Sequence, residues 1–293
     1  MSFCPRLLAG VALVVLAGCQ TPMHRDISET ELIARYDDFV ENYAADLSAS
    51  EVVCARRIEH EYRITDAGNT QSYDVLVLSG GGAFGAFGAG FLQEWGTVND
   101  PEFARPQFDT VSGISTGAMI APYAFVGTPE AYETVVVFYQ NPGDSWVRRR
   151  GIIPYLPGSV SIFDVSKLHD QIRSAVTPEL IRGLAQGAEE NRRLLIGATS
   201  VDYGLLRVWD LAKAAREKPF EESSDLAVST LLASSAIPGA FPPILIDNLM
   251  YVDGGAAMSV VGATDDRNWA YALGRDHDFS FLSEDVPIRI RVG

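Results

Sequence analysis

Ser115 lies in Gly113-Ile114-Ser115-Thr116-Gly117, a G-x-S-x-G run that follows a short apolar stretch and leads into Ala118-Met119-Ile120-Ala121. A strand that turns sharply into a helix through this pattern lifts a serine hydroxyl above the edge of a sheet. The flanking glycines, Gly113 and Gly117, are required because a side chain at either place would strike its neighbours in so tight a turn. A hydroxyl attacks an acyl ester only when a base removes its proton and donors receive the charge that develops on the carbonyl oxygen. Candidates for both lie elsewhere in the chain. Upstream, Gly80-Gly81-Gly82-Ala83-Phe84-Gly85 follows an apolar strand and opens a helix, so bare N–H groups at a helix N-terminus can bind an oxyanion. Downstream, Asp253 ends the apolar run Met250-Tyr251-Val252 and is followed by Gly254 and Gly255; this suits a strand-end carboxylate partly withdrawn from water, but on these residues alone an ordinary turn is the favoured reading. A free aspartate, with a pKa near 3.9, is a poor base toward an alcohol and must be raised by desolvation to serve as one.

The upstream loop also satisfies G-x-G-x-x-G, the dinucleotide-binding pattern. That reading needs an acidic residue at the end of the next strand to hold a ribose. Here Asp109 lies near the start of that strand, and the strand runs straight into Ser115. A nucleotide site is therefore set aside, and no cofactor is expected. The four histidines (His24, His60, His169, His277) lack metal-ligand spacing, so no metal site is expected either. His277, in a polar tail, offers the alternative of a Ser115–Asp253–His277 triad.

The elements that must position these residues follow from hydrophobic patterning. Asp74 to Leu78 is a continuous apolar run suited to a strand buried on both faces of a parallel sheet. Ala86 to Val98 reads as a helix of small residues, and helices are also expected from Ala118, over Pro129 to Gln140, after Asp164 or Ser166, and from Pro178. Leu194 to Ala198 and Leu205 to Trp209 read as strands. Leu226 to Ser235 reads as a helix stopped by Pro238, and Asp247-Asn248 as a turn between two strands. Strands alternating with helices imply an α/β sandwich with a mainly parallel sheet. Residues 141–161 read as loop; within them Arg148 to Arg150 beside Trp146 form a basic patch, for which a solvated loop is the ordinary reading.

A chain of 293 residues with 47% hydrophobic content can bury a sizeable core. Its net charge of −15 excludes nucleic acid as a partner, since phosphates would be repelled. At the N-terminus Arg6 precedes the apolar run Leu7 to Leu16, too short to span a bilayer but suited to a signal-peptide core. The run ends in Leu16-Ala17-Gly18-Cys19, which resembles the lipobox of bacterial lipoproteins and implies lipidation of Cys19; a plain secretory signal is the alternative. Gln20 after the cysteine implies an outer-membrane destination. Cys54 is then left without a partner, so no disulfide framework is expected. Ser28 with Glu31 forms a capping box for an amphipathic helix running to about Leu47.

The glycine loop after the first strand, the G-x-S-x-G run and Asp253-Gly254-Gly255 together resemble the patatin-like phospholipases. Leu194 to Thr199 with Gly204, and Leu232 to Pro243 leading into Tyr251 to Gly255, are similar to the family as well. The resemblance covers roughly residues 73–258. It implies a three-layer α/β sandwich, Ser115 as nucleophile and Asp253 as its base in a dyad, an oxyanion hole in the Gly80–Gly85 loop, and a lipid or other acyl ester as substrate. The organisation expected is a signal peptide at 1–18, a tether and helical segment at 19–72, the catalytic domain at 73–258 and a divergent segment at 259–293. Family members usually carry a basic residue before the last glycine of the loop, where this chain has Phe84; neutral or short acyl esters are therefore the expected substrates. Similar proteins usually continue well beyond the strand-like Val286 to Val292, which makes a truncated end one reading. A non-catalytic lipoprotein using the same shell as a binding module is the alternative to an enzyme.

Overall fold

A computed structural model of the chain describes residues 26–40, 74–140, 148–149, 163–258 and 261. The signal run with Cys19, the segment 48–72, Trp146 and His277 lie outside the described residues.

Residues 29–40 form helix α1, and the Glu31 N–H donates to Ser28 Oγ at 3.2 Å, as the capping box predicts. The domain proper begins with β1 (Val75–Leu78), a single 3₁₀ turn (Gly82–Phe84) and α2 (Gly85–Trp95). β2 (Thr110–Gly113) leads into α3 (Thr116–Val126), followed by α4 (Pro129–Gln140). Two short strands, β3 (Arg148–Arg149) and β4 (Phe163–Asp164), pair antiparallel; two arginines of the expected basic loop are thus in extended, paired backbone. Then come α5 (Ser166–Ala175), α6 (Pro178–Glu189), β5 (Arg193–Ser200), β6 (Leu206–Asp210), α7 (Leu211–Glu217) and α8 (Phe220–Ser234). A hairpin of β7 (Ile244–Ile246) and β8 (Leu249–Asp253) closes the sheet. Its turn is the predicted Asp247-Asn248, both residues at positive φ (52° and 64°), the geometry of a two-residue hairpin turn.

β1, β2 and β5 pair in parallel, while β6 and β8 pair antiparallel to β5 and β7 antiparallel to β8. Four of the six strands therefore run in one direction. Most of α3 is buried, because a helix that leaves its strand through so tight a turn packs back against the sheet. Ala118, Ile120, Ala121, Ala124 and Phe125 pack with Val111, Leu194 and Ile196 in the main core.

The register of β5 decides where the site forms. Its residues Leu195 and Ile196 pair with both β2 and β6, so these strands lie on opposite edges. Ala198 and Thr199 pair with both β6 and β8, so β8 shares the edge used by β2. β2 ends opposite Ile196 at Gly113, and β8 ends opposite Ala198 at Asp253. Two strands running in opposite directions thus meet end to end across Gly197. Their C-termini deliver Ser115 and Asp253 to one place.

Candidate active site

Ser115 sits at φ 56°, ψ −123°, a conformation that costs a residue with a Cβ of order 1–3 kcal/mol and that persists only where the surroundings enforce it. The enforcing contacts are visible. A Cβ on Gly113 would come within 2.5 Å of Gly117 O, and one on Gly117 within 2.7 Å of Ser79 O, so both flanking positions are closed to side chains. One on Gly80 would approach Ser115 Cβ to 3.2 Å, which is why the loop can pass so close to the serine.

The segment after α8 grips the same turn from the other side. Ser234 Oγ accepts the Ser115 N–H at 2.9 Å and donates to Gly197 O at 2.7 Å, tying the elbow to the strand between the two converging ends. Ser235 Oγ donates to Ser115 O at 3.3 Å, and Asp253 N–H donates to Ala236 O at 2.9 Å. Sequence reasoning assigned Ser234 no role. Its only signal was its place in the Leu232 to Pro243 segment.

Ser115 is 8% exposed and Asp253 7%. The Asp253 carboxyl is pushed above the usual carboxylate range by burial, opposed by hydrogen bonds from the Ser115 hydroxyl and the Gly255 N–H, the latter at 2.7 Å. The residues that answer it are thus a hydroxyl and an amide. Gly254 is obligatory at its position, because a Cβ there would meet Gly197 O at 2.6 Å. Thr199 Oγ1 fixes the turn by donating to Asp253 O at 3.0 Å.

Ser115 lines a cavity of about 370 Å³ whose walls also include Gly82, Ala83, Met119, Leu168 and Phe241. It is large enough for an apolar ligand of the size such pockets take. Tyr139 closes one side; its hydroxyl, pushed up to about 12 by burial, is engaged with Thr116 and stays protonated.

In the glycine loop, Gly82 takes φ 56°, and the Phe84 and Gly85 N–H groups are spent inside the turn, on Gly81 O and on Ala83 O and Gly82 O. The Phe84 side chain is 83% exposed. Asp109, the residue weighed as a ribose ligand, is at the opposite end of the sheet, where its carboxylate accepts the Asp74 N–H at 2.7 Å. His169 lies on α5 beside Asp170, partly exposed. Among the described residues no cluster of histidine, cysteine and acidic side chains could hold a metal.

Comparison with known proteins places this arrangement. Residues 76–263 match the model of the patatin-like phospholipase family. A cGAMP-activated phospholipase of Pseudomonas aeruginosa (strain BWHPSA011 / Pa011) is 29% identical over 195 residues, covering 65% of this chain and 55% of that protein. The chain thus spans about half the length of that curated relative. Among solved structures, VipD from Legionella pneumophila aligns over 68% of this chain and 48% of its own, at 16% identity and a TM-score of 0.36, too distant to bear on the site. With the glycine loop, the elbow and the aspartate turn all inside the matched region, the chain belongs to the patatin-like phospholipase family.

Proposed function

We propose that the protein is a lipid acyl hydrolase working through a Ser115–Asp253 dyad. Ser115 Oγ attacks the carbonyl carbon of an acyl ester while the Asp253 carboxylate takes its proton. The N–H groups of Gly81, Gly82 and Ala83 receive the oxyanion, since those of Phe84 and Gly85 are already spent. Collapse breaks the ester bond, and the departing alcohol takes the proton from Asp253. Water then attacks the acyl-serine, giving its proton to Asp253, and a second collapse releases the fatty acid and returns the proton to Ser115 Oγ. The observation that carries this reading is the convergence of the ends of β2 and β8 on one edge of β5, which brings a serine held at positive φ and a buried carboxyl to one place beside an apolar cavity. Labelling by a fluorophosphonate, lost in Ser115→Ala, is the expected result. A well-folded wild-type protein that resists the reagent would leave the binding-module reading in its place.

Phe84, uncharged and exposed beside the donors, favours simple fatty-acyl esters over anionic phospholipids. Faster cleavage of phosphatidylglycerol than of a neutral ester would overturn that preference. The Leu16 to Cys19 run supports acylation of Cys19 and attachment to the outer membrane, facing the periplasm. Incorporation of labelled palmitate that disappears in Cys19→Ser is the expected outcome; label retained in that variant would exclude the anchor.

A further inference from the structure

Helix α2 is amphipathic in an inverted sense. Its inward side is made of the smaller residues: Gly85, Ala89 and Leu92 are buried, and a Cβ on Gly85 would strike the Tyr139 hydroxyl at 2.6 Å. Its solvent side is made of large aromatic ones. Phe84, Phe87 and Phe91 are spaced three and four residues apart, and the latter two are 77% and 54% exposed. Their rings continue one another, Phe87 to Phe91 at 6.4 Å and Phe91 to Trp95 at 5.8 Å between centroids. Phe103, also exposed, is held beside the far end by the bond from Trp95 Nε1 to its carbonyl at 2.7 Å. Burying these rings against the domain would be favourable; instead they form one contiguous outward patch, and such patches mark interaction surfaces.

Two observations identify what covers it. The patch borders the cavity: Gly82, Ala83 and Ala86 line the space above Ser115, while Phe84 and Phe87, interleaved with them, face out. Whatever covers the rings therefore also reaches the mouth of the site. The part of the patch nearest the cavity, Phe84 to Phe91, is also without charged residues. From Val75 to Gln93 there is no Asp, Glu, Lys or Arg, in a chain that is 21% charged and carries a net charge of −15. An acidic protein with a neutral aromatic face is repelled by anionic surfaces and matches a zwitterionic one, into which aromatic side chains insert at headgroup level.

We propose that the Phe84–Phe87–Phe91 face of α2 docks the domain on the surface of a zwitterionic lipid bilayer and brings the mouth of the Ser115 cavity against it. That orientation rests on the hydrolase reading for its purpose, but docking itself needs no turnover. The test is partition of the full chain onto phosphatidylcholine vesicles in sedimentation assays, with Cys19→Ser in every sample so that acylation does not contribute. Phe87→Ser should weaken partition about tenfold, and Phe87→Ser with Phe91→Ser together about a hundredfold; both positions are exposed, and unchanged thermal unfolding confirms the fold. Replacing part of the phosphatidylcholine with phosphatidylglycerol should weaken binding of the parent protein. Partition unaffected by the substitutions overturns the proposal. So does a parent dimer that the substitutions dissociate while vesicle binding persists, since the patch would then be a contact between two copies. A protein that docks but resists fluorophosphonate would sink the hydrolase reading and leave the surface standing.

Discussion

Two largely buried aspartates flank β5, and they are treated in opposite ways. Asp210 sits opposite Leu195 on one edge, where Arg193 donates to it at 2.6 Å and the Lys213 N–H caps onto it at 3.0 Å. Asp253 sits opposite Ala198 on the other edge, where it has a serine hydroxyl and the Gly255 N–H. Burial raises both carboxyls, but at Asp210 a guanidinium pulls the value back, and at Asp253 the opposing groups are neutral. A cation beside a buried carboxylate favours its charged form, and the pair serves the fold. A carboxylate answered by a hydroxyl and an amide is less well stabilised as an anion, which is the condition for accepting a proton from that hydroxyl.

Isosteric neutralisation of each should separate the two roles most sharply. Asp253→Asn should lower kcat by at least about a thousandfold, in the range seen when a catalytic base is removed, without loss of thermal stability. Asp210→Asn should do the reverse. It strands the Arg193 charge and should cost about 3 kcal/mol in denaturant unfolding, while enzyme that remains folded keeps its kcat. A stability loss at Asp253 equal to that at Asp210 would end the distinction.

Ser234→Ala probes the bracket that joins the elbow to β5. Removal of its hydroxyl leaves the Ser115 N–H and Gly197 O unsatisfied, at about 1–3 kcal/mol. The expected readout is a fall in kcat of about tenfold with KM little changed, because the bracket positions the nucleophile rather than the substrate. A change confined to KM would show that the bracket acts on the pocket.

The pH profile refines the same contrast. A carboxyl whose folded value is raised destabilises the native state once ionised: the penalty is absent below the ordinary value of about 3.9, grows as pH rises through the folded value and is constant above it. On the proposed dyad activity runs the other way, since Asp253 acts as base only when ionised. The acid limb of kcat/KM should therefore fall above pH 4 and be absent from the residual rate of Asp253→Asn. The smallest effect concerns Ser115 itself: Ser115→Gly relieves the positive φ and should raise stability by about 1 kcal/mol, read as an increase in Tm.

What the sequence made legible was local. Ser115 between two glycines, the Asp247-Asn248 turn and the Ser28–Glu31 cap each encode backbone geometry within a few residues, and each is found as read. Boundaries drifted where polar residues begin a helix or an apolar residue follows one. α8 starts at Phe220 rather than Leu226 because Glu221 and Glu222 suit a helix N-terminus, and α2 ends at Trp95, short of Val98. What could not be read was pairing between distant segments. Nothing near Ser234 indicates that its hydroxyl will reach a serine 119 residues away, and nothing near Asp253 indicates that β8 will take the edge of β5 that β2 vacates. Arg193 and Asp210 likewise become partners only once β5 and β6 align.

The end-to-end meeting of β2 and β8 on one edge of β5 also fixes when the site is complete. The Ser115 turn is gripped by the segment after α8, and Asp253 arrives on the last described strand, through pairings of long sequence separation that form slowly relative to local contacts. A nascent or partly opened chain therefore lacks both the bracket that enforces the Ser115 turn and the carboxyl that faces it. On the proposed dyad, docking of the C-terminal hairpin is the step that completes the pair, and ester attack would wait until the sheet that holds the cavity together is complete.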